Sequence, residues 1–187
     1  MRIVGGQFKR KPIKSPRGHL TRPTTERTRE AIFNLLEHRM DIEGAHVLDL
    51  FAGTGALGLE AISRGAEAVV AVEKNPQVLK VARENARDLG VEDSITFIRG
   101  DALQFLKRYQ GPPFDIIFAD PPYELPGIPR LPDLAVQHLK PGGVFVLEHD
   151  VRHRFEGHPL LELSRPYGRT VVSLFRPLPV APAGEHS

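Results

Sequence analysis

From residue 45 to residue 148 the sequence alternates short apolar runs, bounded by Gly or Asp, with longer segments in which apolar residues recur at helical spacing. Both periods are satisfied together when a mostly parallel sheet lies between two layers of helices. The runs at 46–51, 68–73, 94–98, 114–120 and 144–148 read as the strands. Ile116, Ile117 and Phe118 are apolar in succession, as a strand covered on both faces requires. Segment 75–90 is the clearest helix: Asn75 is a capping residue, Pro76 suits the first helical position, and Gly90 is a stop. Val78, Leu79, Ala82, Ala86 and Leu89 mark its apolar face. The stretches 160–163 and 170–175 flank Pro166-Tyr167-Gly168 and predict an antiparallel hairpin. The expected architecture is α/β and Rossmann-like, a mostly parallel seven-stranded sheet closed by that hairpin.

A chain of 187 residues buries one full core and is too short for two ordinary enzyme domains. Residues 41–176 carry the alternating pattern, 1–40 form a basic arm and a helix over about 25–39, and the Pro-rich tail 177–187 reads as disordered. No apolar stretch exceeds the five residues from Ala68 to Val72, against about 20 for a membrane-spanning helix, so no membrane location is expected. Cysteine is absent, which removes disulfides, thiolate zinc sites and every mechanism needing a cysteine nucleophile, covalent cytosine-C5 methylation among them. The first thirty residues share the basic, acid-poor composition of an organelle transit peptide, but no apolar signal region follows. Cytoplasm is the expected location and a monomer the expected state.

The net charge of +2 conceals an asymmetry. Residues 1–29 hold nine Lys or Arg and one acid, Glu26, whereas from Asp41 onward there are fifteen basic and twenty acidic residues. The cationic excess therefore lies in the arm, and a polyanion is its natural partner. A solvated basic tail is the competing explanation of the same charge run. Arg27 and Arg29, in the first turn of the following helix, are expected to extend the cationic surface.

The first strand runs into Asp49-Leu50-Phe51-Ala52-Gly53-Thr54-Gly55-Ala56-Leu57-Gly58, a glycine-rich turn that opens a helix and lets a ligand approach the backbone. Gly53, Gly55 and Gly58 also fit a dinucleotide fingerprint, and Glu73 stands where either kind of site keeps its ribose acid. Asp49 beside the loop would repel a pyrophosphate and suit a ligand carrying an ammonium and a sulfonium, which favours S-adenosylmethionine. Asp101, in Gly100-Asp101-Ala102 after the third strand, is placed to accept from an adenine amine. The cofactor set is thus Asp49, Phe51, Gly53, Gly55, Glu73, Lys74, Asp101, Ala102 and Asp120.

Asp120-Pro121-Pro122-Tyr123, at the carboxyl end of the fourth strand, is the most specific signal. Its prolines fix φ and hold the loop extended, aiming the Asp120 carboxylate and the Pro121 carbonyl as two acceptors for the two hydrogens of an exocyclic amine. Drawing on both N–H groups favours the pyramidal nitrogen that can attack a methyl sulfonium, and Tyr123 is placed to stack on the base. Asp at the first position accepts only, as an aromatic amine prefers; Asn would suit an amide. A Pro-Pro turn with an edge-packed tyrosine is the structural alternative. His149, His153 and His158 have loosely ligand-like spacing, but without cysteines or an acidic partner set they read as surface or groove residues and no metal is expected.

From Arg2-Ile3-Val4-Gly5-Gly6-Gln7-Phe8 to the hairpin ending near Phe175, the chain resembles the bacterial small-subunit ribosomal RNA guanine-N2 methyltransferases of the RsmD type. The motifs at Asp49–Gly58 and Asp120–Tyr123 are shared by many amino-methyltransferases; the thirteen residues from Arg22 to Asn34, Arg-Pro-Thr-Thr-Glu-Arg-Thr-Arg-Glu-Ala-Ile-Phe-Asn, carry the family likeness. The resemblance implies a class I S-adenosylmethionine-dependent fold and methylation of guanine N2 in 16S RNA, free or within a partly assembled 30S particle. It also implies RNA contacts at Lys9, Arg10, Lys11, Arg17, Arg22, Arg27 and Arg29. Arg10 departs from the pattern, since a glycine is expected in that turn. A DNA or other RNA amino-methyltransferase shares the catalytic motif but usually adds a target-reading domain for which residues 41–176 leave no room. A nicotinamide-dependent enzyme, the rival of another class, is weakened by Asp49.

Overall fold

The apolar runs form seven strands, β1 His46–Asp49, β2 Ala68–Glu73, β3 Ile95–Arg99, β4 Phe114–Ala119, β5 Leu139–His149, β6 Leu161–Tyr167 and β7 Thr170–Phe175. They make one sheet in the order β3-β2-β1-β4-β5-β7-β6. The first five are parallel and β7 pairs antiparallel with both β5 and β6, the architecture expected from the pattern. The structure is a computed structural model that describes residues 1–18 and 24–179. Arg22 and residues 180–187 of the tail lie outside the described residues.

β3 and β4 agree with expectation to within one residue, whereas β1, β5 and β6 differ; β6 runs four residues beyond 163, through Pro166 and Tyr167, which were expected in the turn. β1 ends at Asp49, because the chain turns there to bring the Ala52 N–H to the Val72 carbonyl at 3.0 Å. β5 begins at Leu139, five residues before the expected start, since a register shift between Phe114 and Ile116 lets the strand pass through Pro141-Gly142-Gly143.

The helices are α1 Glu26–Glu37, α2 Ala56–Ser63, α3 Pro76–Asp88, α4 Ala102–Arg108 and α5 Leu131–Val136. The Thr25 hydroxyl caps α1 by accepting from the Thr28 N–H at 3.1 Å, and Asn75 caps α3 by accepting from Gln77 at 2.9 Å. On one sheet face Val47, Ile116, Phe118, Val146 and Leu174 pack with Ile32, Phe33 and Leu36 of α1 and Leu59 of α2. On the other, Leu48, Ile117, Phe145 and Phe175 pack with Leu106 of α4 and Ala135 of α5. Burying each large apolar side chain stabilises the fold by about 1.5–3 kcal/mol. A Cβ on Gly58 would lie 3.0 Å from Val69 Cγ1, so glycine there lets α2 seat on β2.

Residues 1–18 of the arm dock on this body. Arg2 and Pro12 form an antiparallel bridge, and Ile3 and Ile13 are buried. The Val4 and Gly5 amides donate to Glu60 at 2.9 Å, the Gln7 amide donates to the Ser63 carbonyl at 2.8 Å, and Lys14 exchanges hydrogen bonds with the Asn85 side chain. Arg10 turns the ribbon with φ 75°, the one non-glycine residue in the left-handed region among the described residues, which is where glycine was expected.

One charged residue is not where the sequence suggested. Arg29 is fully buried, its Nε 3.1 Å from Glu60 Oε1, with Nη2 donating to the Arg2 carbonyl. Arg29, Ile32, Phe33 and Leu36 follow i, i+3, i+4, i+7 spacing, so Arg29 belongs to the inward face of α1 and is not a surface cation. His149 is likewise buried and not a surface residue; it lines a cleft beside the hairpin, where its ring contacts the Ser173 hydroxyl at 2.7 Å and the Asp150 carbonyl at 2.9 Å.

Candidate active site

The carboxyl ends of β1 to β4 open into a cavity of about 960 Å³, at the upper end of the range for small-molecule and cofactor sites. Of the residues expected there, Phe51, Gly53, Glu73, Lys74, Asp101, Ala102, Asp120, Pro121, Pro122 and Tyr123 line it. Asp49 and Gly55 do not.

The glycine turn makes the cavity floor. Gly53 and Gly55 have φ of 56° and 85°, and the Gly55 N–H closes the turn on the Ala52 carbonyl at 2.8 Å. Glu73 holds the turn to β2, accepting from the Gly53 N–H at 2.9 Å and from the Asn75 N–H at 2.9 Å through its other oxygen. A carboxylate has about four acceptor positions, so two remain for ribose hydroxyls. Asp101 caps α4 by accepting from the Gln104 N–H at 2.9 Å, while its second oxygen has no partner among the described residues.

Asp49 lies beneath the turn, 1% exposed, and is not among the residues that line the cavity. Its carboxyl is pushed up to about 7, chiefly by burial; the Gly58 amide pulls it partly back, and Asp120 and Glu73 repel the charged form.

Asp120 follows β4 and Glu148 ends at the same level of β5, since Ala119 pairs with Leu147. The Thr24 hydroxyl lies between them, 2.8 Å from Asp120 Oδ2 and 3.2 Å from Glu148 Oε2. Pro121 is buried and Pro122 exposed, and the Leu125 N–H closes the loop on the Pro122 carbonyl at 3.0 Å. Half-buried Tyr123 meets the Thr170 hydroxyl at 3.0 Å, which ties the loop to the hairpin.

Thr24 and Glu148 escaped the sequence reading. Thr24 sits beside the true helix cap, Thr25; Glu148 closes an apolar strand as Glu73 does, and that shared position was the available signal. The strand ends thus surround the cavity with acids, Glu73, Asp101 and Asp120 in its wall and Asp49 and Glu148 behind them. Such a wall suits a ligand bearing positive charge and opposes a diphosphate.

Lys9, Arg10, Lys11, Arg17 and Arg27 are exposed on the arm and α1. Among the described residues no group of three or more His, Asp or Glu is placed to hold a metal ion. No described helix is long and apolar enough to cross a membrane.

Residues 1–176 match the family model described as conserved hypothetical protein 95. Ribosomal RNA small subunit methyltransferase D of Escherichia coli K12 is 38% identical over 123 residues, 66% of this chain and 60% of that protein. YlbH of Bacillus subtilis 168, provisionally named an rRNA methyltransferase, is 34% identical over 94% of this chain and 98% of its own length. A solved structure of a hypothetical protein from Thermus thermophilus superposes with a TM-score of 0.82 at 32% identity, covering 94% of this chain and 99% of that one.

Proposed function

The chain belongs to the conserved hypothetical protein 95 family, and from that premise we propose that it is an S-adenosylmethionine-dependent rRNA methyltransferase of the RsmD type that methylates the N2 amine of a guanine in 16S RNA. The observation that carries this reading is the meeting, in one cavity, of the Asp120-Pro121-Pro122-Tyr123 turn with the glycine turn and Glu73. Relatives named as small-subunit RNA methyltransferases support the substrate class.

The residues present fit the methyl donor. Glu73 retains acceptor positions for a ribose, Asp101 has an oxygen available for an adenine amine, Phe51, Lys74 and Ala102 lie in the adjoining wall, and the surrounding acids favour a cationic ligand. When bound, S-adenosylmethionine supplies an electrophilic methyl group on sulfonium. Asp120 and the Pro121 carbonyl accept the two amine hydrogens, which holds the nitrogen for in-line attack. Tyr123 bounds the base, and after transfer the surplus proton leaves the nitrogen for Asp120 or water. The exposed cations of the basic segment 1–40 hold the phosphate backbone.

The test is incubation with unmodified 16S RNA, free and in partly assembled 30S particles, and a tritiated methyl donor. Nucleoside mapping is expected to place the label on guanine N2. Label on adenine, cytosine or protein would overturn the reading.

A further inference from the structure

The sheet carries a second set of cations that the arm does not account for. β7 starts where β5 ends, His149 opposite Val171, so the hairpin turn between Tyr167 and Thr170 stands at the carboxyl edge, the edge that holds the catalytic loop. The bond from Tyr123 to Thr170 fastens that turn to the loop directly. Arg165 and Arg169 are exposed on the hairpin and make no ion pair with a described residue. From Leu163 to Pro179 the sequence has no Asp or Glu.

The loop after β5 adds Arg154. It is exposed and unpaired among the described residues, whereas neighbouring Arg152 is held by Asp150. Arg154, His153 and Phe155 face Ser164 and Val171 of the hairpin across a cleft of about 240 Å³, so loop and hairpin form one surface. The arm packs on α2 and α3, over the β1–β2 half of the sheet, while the hairpin is the opposite edge. Positive charge therefore flanks the catalytic mouth on two sides.

We propose that Arg154, Arg165 and Arg169 form a second contact surface for the RNA phosphate backbone, across the mouth from the arm. The inference rests on the reading of RNA as substrate. A strand whose target base enters the cavity continues in both directions, and each direction then meets unpaired arginines, which suit phosphate by charge and by fork geometry. The arm fixes one side of the target and the hairpin edge the other.

The experiment measures binding of the full chain to unmodified 16S RNA, transcribed in vitro, across a salt series. It compares wild type with Arg154→Gln/Arg165→Gln/Arg169→Gln, with Arg169→Gln alone, and with Lys9→Gln/Lys11→Gln in the arm. Each lost phosphate contact lowers the slope of log affinity against log salt by about 0.7–0.9. The triple variant is expected to lower it by about 2.1–2.7, so that raising salt from 50 to 200 mM costs it roughly 20- to 40-fold less affinity than it costs wild type. Arg169→Gln alone should lower the slope by about 0.7–0.9. Wild-type slopes in both hairpin-edge variants, with a reduced slope in the arm variant, overturn the second surface and leave the proposed function standing. Failure of wild type itself to bind the RNA overturns both.

Discussion

Arg29 and Glu60 form an ion pair at 3.1 Å with neither side chain exposed, and this pair fastens α1 to α2 beneath the N-terminal arm. Glu60 also accepts from the Val4 and Gly5 amides and from Arg64 Nε, so one buried carboxylate organises two helices and the arm. Removing the Arg29 cation leaves that carboxylate undercompensated inside the fold. Arg29→Met should destabilise the protein by about 3–5 kcal/mol, seen as a lower denaturant midpoint. Arg27 is exposed, and Arg27→Gln should change stability by less than about 0.5 kcal/mol while lowering the salt slope of RNA binding by about 0.7–0.9. An Arg29 variant of full stability would contradict the buried pair.

The Thr24 hydroxyl has one hydrogen to give between Asp120 and Glu148, and it joins the segment before α1 to the carboxylate proposed to receive the amine. Asp120→Ala should abolish methyl transfer while leaving adenosylmethionine binding largely intact. Thr24→Val should lower kcat by about tenfold, the effect of losing one hydrogen bond of about 1.4 kcal/mol to a charged group. Thr24→Ser should restore it. Rapid turnover by Asp120→Ala would remove Asp120 from the chemistry.

Much of this was legible in the sequence, for reasons visible in particular residues. The Asn75-Pro76 cap, Gly90 and the apolar strands speak through local rules of backbone geometry, and the structure places those elements within a few residues of expectation. Arg29 was misread, and Glu60 passed unremarked, because a charge is normally a surface signal; only its partner makes a buried one tolerable, and that partner is 31 residues away. Each left a trace all the same. Arg29 shares the spacing of Ile32, Phe33 and Leu36, and Glu60 is the one charge in the otherwise uncharged α2. Glu148 shared the strand-end position of Glu73, but its contact with Thr24, 124 residues away in sequence, is one that no local rule relates.

Asp49 gives the protein a pH dependence of known sign. Its folded pKa, about 7, stands above the ordinary 3.8, so between about pH 4 and pH 7 the folded state keeps a proton that the unfolded chain has released. Stability should fall as pH rises through that window and level off above it, by on the order of 4 kcal/mol in all. Asp49→Asn stays neutral and should remove this part of the slope. Denaturant midpoints from about pH 4 to about pH 8 check it, and an Asn variant with the wild-type profile would refute the assignment.

Arg10 sets a conformational cost against a charge. At φ 75° an L side chain is crowded against its own carbonyl, a strain of about 1–2 kcal/mol that glycine escapes, though glycine gives up about 0.5–1 kcal/mol through its freer unfolded chain. The turn is needed because the Arg10 N–H must reach the Ile3 carbonyl, at 2.9 Å, for the ribbon to close over α2. Arg10→Gly should therefore raise stability by up to about 1 kcal/mol while lowering the salt slope of RNA binding by about 0.7–0.9. The two effects separate cleanly in thermal unfolding and salt-dependent binding. A variant that gains stability without losing slope would mean that the strain is real and that the guanidinium does not touch the RNA; one that loses stability would mean that the left-handed turn is not what holds the arm in place.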